Sequence, residues 1–264
     1  MNEQNSQLTE FADDWLQREP NLAICYRFAA KPTRWLASVL LIEELLQMMF
    51  SLSNQELAQA KMAWWADEGD LAVSGAPRHP LTQALVTAKS AEKSDLAALP
   101  ALVRAAQAWI TCATATDTDA QRTQFSEFAA AASTLVNEGD CSIIWIELAL
   151  KRQLQSHAKP DRYGPSVLSR AALAEFQLKA SQIGDVALVA AALSAKLIVI
   201  RQSLRDALPT QAQGAQSATR AYGLLHAREA GRWAKSALAA QPGGFLSSAP
   251  SLLGLVQAWW VARS

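Results

Sequence analysis

The stretch 35-WLASVLLIEELLQMMFS-51 decides the fold of this 264-residue chain. It is long and mostly apolar, and it contains neither Gly nor Pro. A run of this kind predicts a helix that is buried over most of its surface. Two adjacent acids, Glu43 and Glu44, interrupt the run. Acids inside an apolar helix are typical of a metal or acid–base site. This helix therefore either carries a catalytic site or is one from which the catalytic site is missing.

The remaining segments also have the three-to-four-residue spacing of helices. A second long helix is predicted over about 54–73, followed by the loop 74-SGAPRHP-80 and a new helix starting near Pro80. Further helices are predicted at 80–90, 95–115, 119–135, 141–157, 167–181, 184–207, 217–239 and 249–262. No run shows strict β alternation, and no hairpin signal occurs.

We therefore predict an all-α protein with one helical domain, 21–264, made of about eight to ten helices. A polar N-terminal segment, 1–20, precedes this domain, and Thr9 or Asp13 is expected to cap a first short helix there.

Composition excludes several classes of protein. Lys plus Arg equals Asp plus Glu at 24 each, so net charge gives no case for nucleic-acid binding. The three cysteines form no C-x-x-C pair, which argues against a zinc site or a disulfide framework. The N-terminus lacks the features of a signal peptide, and the longest apolar run, 186–200, is shorter than the roughly 20 residues a spanning helix needs. We expect a cytoplasmic protein whose membrane contact, if any, is peripheral to the inner membrane.

No catalytic signature motif is present, and the spacing of Glu43 and Glu44 is poor for a metal. A helical magnesium–diphosphate site needs carboxylates three or four residues apart, because those positions share a face. Adjacent acids point in different directions, so no metal is expected here. Each acid is expected either to pair with a base such as Arg34 or to face solvent.

Two tryptophan pairs, Trp64–Trp65 and Trp259–Trp260, are the other unusual feature. Neighbours on a helix point about 100° apart, so one indole of each pair is expected inside and the other over a seam. The alternative is an indole that lines an apolar pocket or lies at a lipid interface.

The stretch 26–85 resembles the opening of the squalene/phytoene synthase family. The shared elements are an aromatic, a basic residue, a long helix, a Trp-containing helix end, a Gly loop and a His-Pro helix start. Here they are Tyr26, Arg34, the helix through Glu44, 61-KMAWWADE-68, Gly75 and 79-HP-80. The stretches 125–150 and 180–193 are similar to the family's central helix pair and its Ala-rich helix.

The resemblance implies the all-α isoprenoid synthase bundle, and in catalytic members the head-to-head condensation of two prenyl diphosphates. Those members hold magnesium through two Asp-x-x-x-Asp segments on facing helices. With Arg34 aligned to the family's basic residue, the first pair falls at Gln47 and Ser51, neither of which is an acid. At the second place only Asp185 is found. The sequence of 42–68 is more similar to a non-catalytic branch of the family, which includes a mitochondrial assembly factor for respiratory complex I.

From this resemblance we expect a degenerate, non-catalytic member that needs no cofactor. It would bind an apolar or isoprenoid small molecule, or a protein partner during assembly of a respiratory complex. The alternative is an active prenyltransferase that uses magnesium and a shifted acid set, Glu43, Glu44, Asp67 and Asp70. The candidate pocket or degenerate-motif residues are Arg34, Glu43, Glu44, Gln47, Ser51, Trp64, Trp65, Asp67 and Asp185.

Overall fold

The computed structural model describes residues 3–27, 29, 32–51, 55–88, 93–112, 118–137, 141–142, 144–146, 148–149, 151–152, 179, 218–226 and 228. Seven helices have complete bounds: α1 (Glu3–Arg18), α2 (Pro20–Tyr26), α3 (Pro32–Ser51), α4 (Gln55–Ser74), α5 (Pro80–Thr87), α6 (Lys93–Cys112) and α7 (Thr118–Val136). The described parts of 142–152 and 218–228 are also helical, and none of the described residues is in a strand. The prediction of an all-α fold is confirmed.

The turn between α4 and α5 lies where Gly and Pro predicted it. Gly75 has a φ of 85°, which is the left-handed conformation that glycine adopts without a steric penalty. Gly75 donates its backbone N–H to Ala72 at 3.1 Å, and Ala76 donates to Leu71 at 2.8 Å. These two bonds close the end of α4 as a Schellman motif. His79 then caps α5, because its Nδ1 accepts from the backbone N–H of Leu81 at 3.2 Å.

Helix α3 is the centre of the bundle. It packs against α1, α2, α4, α5, α6 and α7. No residue from Trp35 to Glu43 is more than 4 % exposed, so this part of the helix is buried on all sides. The prediction of an apolar helix over 35–51 is confirmed. Because the other helices surround α3, any polar group that it carries here must find its partner inside the protein.

The N-terminal segment differs from the expectation of a short helix, because α1 is 16 residues long. Thr9 and Asp13 lie inside α1, so the prediction that one of them caps a helix is wrong. Leu8, Ala12 and Trp15 are buried and form one apolar stripe at helical spacing. Helix α1 packs through this stripe on α3 and α5. The exposed face of α1 carries polar residues, namely Thr9, Glu10, Asp13, Asp14 and Gln17.

The predicted helices 184–207 and 249–262, together with the pair Trp259–Trp260, lie outside the described residues. Of the predicted helix 167–181 only Lys179 is described, and it is not helical. Within the part of the chain that is described, no helix combines the length and the apolar character needed to cross a bilayer.

Candidate functional site: a buried ion cluster on the central helix

Glu43 is the centre of a buried network that we call the Glu43 cluster, made of Glu19, Glu43, Arg152 and Tyr222. The Arg152 guanidinium donates from Nε to Glu43 Oε2 at 2.8 Å and from Nη1 to Glu19 Oε1 at 2.7 Å. The Tyr222 hydroxyl donates to Glu43 Oε1 at 2.5 Å. Glu43 and Tyr222 are fully buried, and Glu19 and Arg152 nearly so. Both carboxylate oxygens of Glu43 are therefore occupied by protein donors.

Electrostatics keep both donors of the cluster, Arg152 and Tyr222, protonated. Burial lowers the pKa of Arg152, but Glu19 and Glu43 outweigh this and place it well above its usual value. Burial and the Glu43 charge raise the pKa of Tyr222. The guanidinium therefore stays charged and the phenol stays protonated, so each remains a donor to Glu43. A carboxylate held in this way cannot act as a base or a metal ligand unless Arg152 is released.

A second buried pair lies next to the cluster. Lys151 Nζ and His226 Nδ1 are 2.6 Å apart, and both side chains are buried. Burial lowers the pKa of His226 well below its usual value, and the charges of Lys151 and Arg152 lower it further. The imidazole is therefore neutral and accepts from the lysine ammonium at Nδ1.

The helical segment 218–226 is held against α3 at two points, Thr219 and Tyr222, which lie about one helical turn apart. Trp35 Nε1 donates to Thr219 Oγ1 at 2.9 Å. The Trp35 ring also meets Tyr222 edge to face, with centroids 5.9 Å apart. Together with the bond from Tyr222 to Glu43, these contacts fix the segment along the inner face of α3.

The acid next to Glu43 has a different environment. Glu44 Oε1 accepts from Trp15 Nε1 at 2.8 Å, and burial raises the pKa of Glu44. Arg34 is itself buried and donates to the backbone carbonyl of Leu135 at 3.4 Å. Glu43 does pair with a base, as expected, but that base is Arg152 and not Arg34. Glu44 differs from the expectation, since it accepts from an indole.

Among the side chains that the structure describes, no hydrogen bond or ion pair joins the other predicted site residues to the Glu43 cluster. Gln47 is half-buried on α3, one turn after Glu43, and Ser51 is the last residue of that helix, with its side chain outside the description. Asp67 is exposed on α4, as is Asp70. Asp185 lies outside the described residues. Among the residues that are described, no group of three or more His, Cys, Asp or Glu side chains is arranged to hold a metal. The shifted acid set is therefore not brought together.

The pair Trp64–Trp65 has the arrangement that helical geometry predicts. Trp65 is 5 % exposed and Trp64 is 41 % exposed. Both rings pack on His79, with centroids 4.9 Å from Trp65 and 5.8 Å from Trp64. Trp65 thus belongs to the core, while Trp64 covers the seam between α4 and the start of α5.

Glu68 has the richest set of donors on α4, although its place near a helix end and beside a loop predicted a solvated acid. Glu68 is fully buried and accepts from the backbone N–H groups of Arg78 and His79, each at 2.8 Å, and from the Thr82 hydroxyl at 2.5 Å. Burial raises the pKa of Glu68, but these hydrogen bonds outweigh it and the pKa lies below its usual value. The sequence offered one signal for this role, since Glu68 comes before a loop with Gly and Pro and before a helix start.

Sequence reasoning overlooked Glu19, Lys151, Arg152, Tyr222 and His226. The partners of Glu43 lie 109 and 179 positions away along the chain. One signal was available, since a Lys-Arg pair directly follows the mostly apolar stretch 141–150. Two cations at the end of such a stretch are expected either to reach solvent or to meet buried acids.

The structure is similar to the crystal structure of a dehydrosqualene synthase in complex with ligand. The TM-score is 0.66 at 11 % sequence identity, and the alignment covers 99 % of this chain and 96 % of that chain. At this identity the likeness establishes the shared fold alone, and it confirms the isoprenoid-synthase-like bundle expected from the sequence. No family model matches the chain. No curated protein matches it either.

Proposed function

We propose that this protein keeps the bundle of the squalene/phytoene synthases without their metal-dependent prenyl transfer, and that it binds an apolar or isoprenoid-like molecule. The observation that carries the proposal is the state of Glu43. It is an inward-facing acid of the helix on which the resemblance expects an aspartate pair. Arg152 already forms an ion pair with it, and Tyr222 donates a hydrogen bond to it. Gln47 and Ser51 occupy the positions expected for that pair.

The paired state of Glu43 matters because prenyl transfer requires free carboxylates. Loss of a diphosphate leaving group requires carboxylates that hold magnesium against the charge that develops on the phosphate oxygens. Releasing Glu43 for that task would leave a buried guanidinium without one of its two anions. Breaking a buried pair in this way costs about 3–5 kcal/mol. The α3 helix is therefore built to keep its acid paired rather than to offer it to a metal.

The ligand part of the proposal rests on the character of the rest of α3. Beyond Glu43 the helix continues with Leu45, Leu46, Met48, Met49 and Phe50, all at most 5 % exposed. Helical bundles form ligand sites between facing helices, and such sites are mostly apolar. Methionine adapts its shape to an irregular apolar surface. An isoprenoid-like chain is the class of molecule that suits this surface.

A role in the assembly of a respiratory complex belongs to the same proposal. Its support is the resemblance of 42–68 to the non-catalytic branch that contains such a factor. In that role the protein would act through a protein partner, and a cytoplasmic location with peripheral contact at the inner membrane would agree with it.

Two measurements on purified protein test the proposal. The first is release of diphosphate from farnesyl or geranylgeranyl diphosphate with magnesium, with a catalytically active dehydrosqualene synthase as the positive control. We expect no release above the protein-free rate, and steady turnover would overturn the loss of catalysis. The second is mass spectrometry of the molecules that co-purify with the native chain. We expect an isoprenoid or other long apolar molecule at a stoichiometric level, and its absence would remove the ligand part alone.

A further inference from the structure

We propose that the groove between α6 and α7 is the contact surface of a twofold-symmetric dimer of this chain. The groove has a volume of about 760 Å³ and is open to solvent. Five alanines of α6 and two of α7 line it, among them Ala101, Ala105 and Ala131. Because alanine side chains are short, a second helix pair can approach this surface to the usual helix–helix separation of about 8–10 Å.

Two opposite charges define how the second copy is oriented. Arg104 on α6 and Glu127 on α7 both line the groove, and both are exposed. The two helices are consecutive and pack side by side, so they run antiparallel. The two residues lie at a similar number of positions from the connection between the helices, which places them at the same height along the groove. Neither forms an ion pair with another residue of the described chain.

A twofold axis that runs along the groove uses both charges at once. It places α6 of one copy over α7 of the other, so that Arg104 faces Glu127 of the second copy and Glu127 faces its Arg104. A contact in which residue i meets residue j, and j meets i, is the defining property of a twofold interface. The four helices then alternate in direction, as in an up-down bundle.

The pair of charges favours a second copy over other occupants. A lipid or an apolar ligand would cover the alanines but leave both charges without a counter-ion. A partner of one charge sign would satisfy one residue and repel the other, which costs affinity and specificity. A second copy satisfies both with the groove's own residues.

Sedimentation velocity tests the proposal. The full chain is examined at low salt, where exposed ion pairs are least screened, from about 1 µM to several hundred µM. We expect reversible dimerisation. Arg104→Glu and Glu127→Arg should each weaken the dimer at least about tenfold, because each places like charges together at two points. The double variant R104E/E127R should restore it, since the pairs are re-formed with the signs exchanged.

The matched control is Glu10→Lys, a charge reversal on the exposed face of α1, which should leave the dimer unchanged. Circular dichroism establishes that each variant keeps its helical content. A wild-type chain that stays monomeric at every concentration overturns the proposal. A dimer that neither single reversal weakens, or that the double variant does not recover, also overturns it.

Discussion

At the scale of single residues, Glu43 and Glu44 show how one step along a buried helix changes the role of an acid. The two side chains point about 100° apart. One accepts from Arg152 and Tyr222, and the other accepts from the indole of Trp15. The first carboxylate has the buried guanidinium of Arg152 as its partner. Burial raises the pKa of Glu44, so its charged form is less favoured than that of an exposed glutamate.

The variant Glu43→Gln should lower the free energy of unfolding by about 3–5 kcal/mol at pH 7, because it leaves Arg152 buried with one anion instead of two. Glu44→Gln is the matched control. Its amide oxygen can still accept from Trp15, and the variant removes a charge that burial penalises, so stability should stay equal or rise. Urea denaturation at pH 7 measures both. Equal losses in the two variants would contradict the assignment of the ion pair to Glu43.

His226 makes stability depend on pH. Its pKa in the folded protein lies well below the value of about 6.5 expected in the unfolded chain. The unfolded state therefore binds the extra proton first, and this contribution to stability is complete above about pH 6.5 and is lost as the pH falls below it. The slope is about 1.4 kcal/mol per pH unit for one proton.

The variant His226→Asn should remove that slope, because asparagine offers Lys151 an acceptor near the position of Nδ1 but does not titrate. Urea midpoints between pH 7.5 and pH 5, taken as the difference between wild type and variant, isolate the contribution from those of other groups. If the difference in urea midpoint between wild type and variant stays the same from pH 7.5 to pH 5, His226 is not the group whose protonation lowers the stability.

At the scale of elements, Glu68 joins the end of α4 to the start of α5. It receives two backbone N–H groups and a hydroxyl at a helix N-terminus. Hydrogen bonds to a charged group are worth about 1.5–3 kcal/mol each in favourable settings. Glu68→Gln should therefore lower the free energy of unfolding by about 2–3 kcal/mol. Asp67→Asn, at the exposed neighbouring position, should change it by less than about 0.5 kcal/mol. Thermal and urea unfolding of the pair distinguish these values.

Helix positions were predictable, while the partners of buried polar groups were not. Pro32, Gly75 and Pro80 act through local backbone geometry, so the bounds of α3, α4 and α5 follow from residues close by in the sequence. The contacts of Glu43 depend on how distant helices pack, and no local spacing encodes a partner more than a hundred residues away. The same limit explains why Arg34, the nearest base in the sequence, was the wrong partner.

At the scale of the whole molecule, a bundle of this kind is retained at only 11 % identity to the dehydrosqualene synthase. An apolar pattern at helical spacing is a loose requirement, so many sequences satisfy it. A buried ion cluster is a strict requirement, because the loss of one charged member leaves another charged member without its partner. The Glu43 cluster joins α3 to residue 19 at the end of α1, to Arg152 and to the 218–226 segment. It therefore ties together parts of the chain that the apolar pattern alone would allow to shift.

Helix α1 is therefore part of the bundle rather than a polar extension of it. Trp15 is 5 % exposed and its indole N–H is bonded to Glu44 on α3. Trp15→Ala should lower the free energy of unfolding by about 3–5 kcal/mol, the usual loss for a buried aromatic side chain. Glu10→Ala on the exposed face of the same helix should cost less than about 0.5 kcal/mol. If α1 were detached in solution, both variants would unfold at the wild-type urea midpoint. A loss confined to Trp15→Ala, with one cooperative transition, requires α1 to fold together with α3.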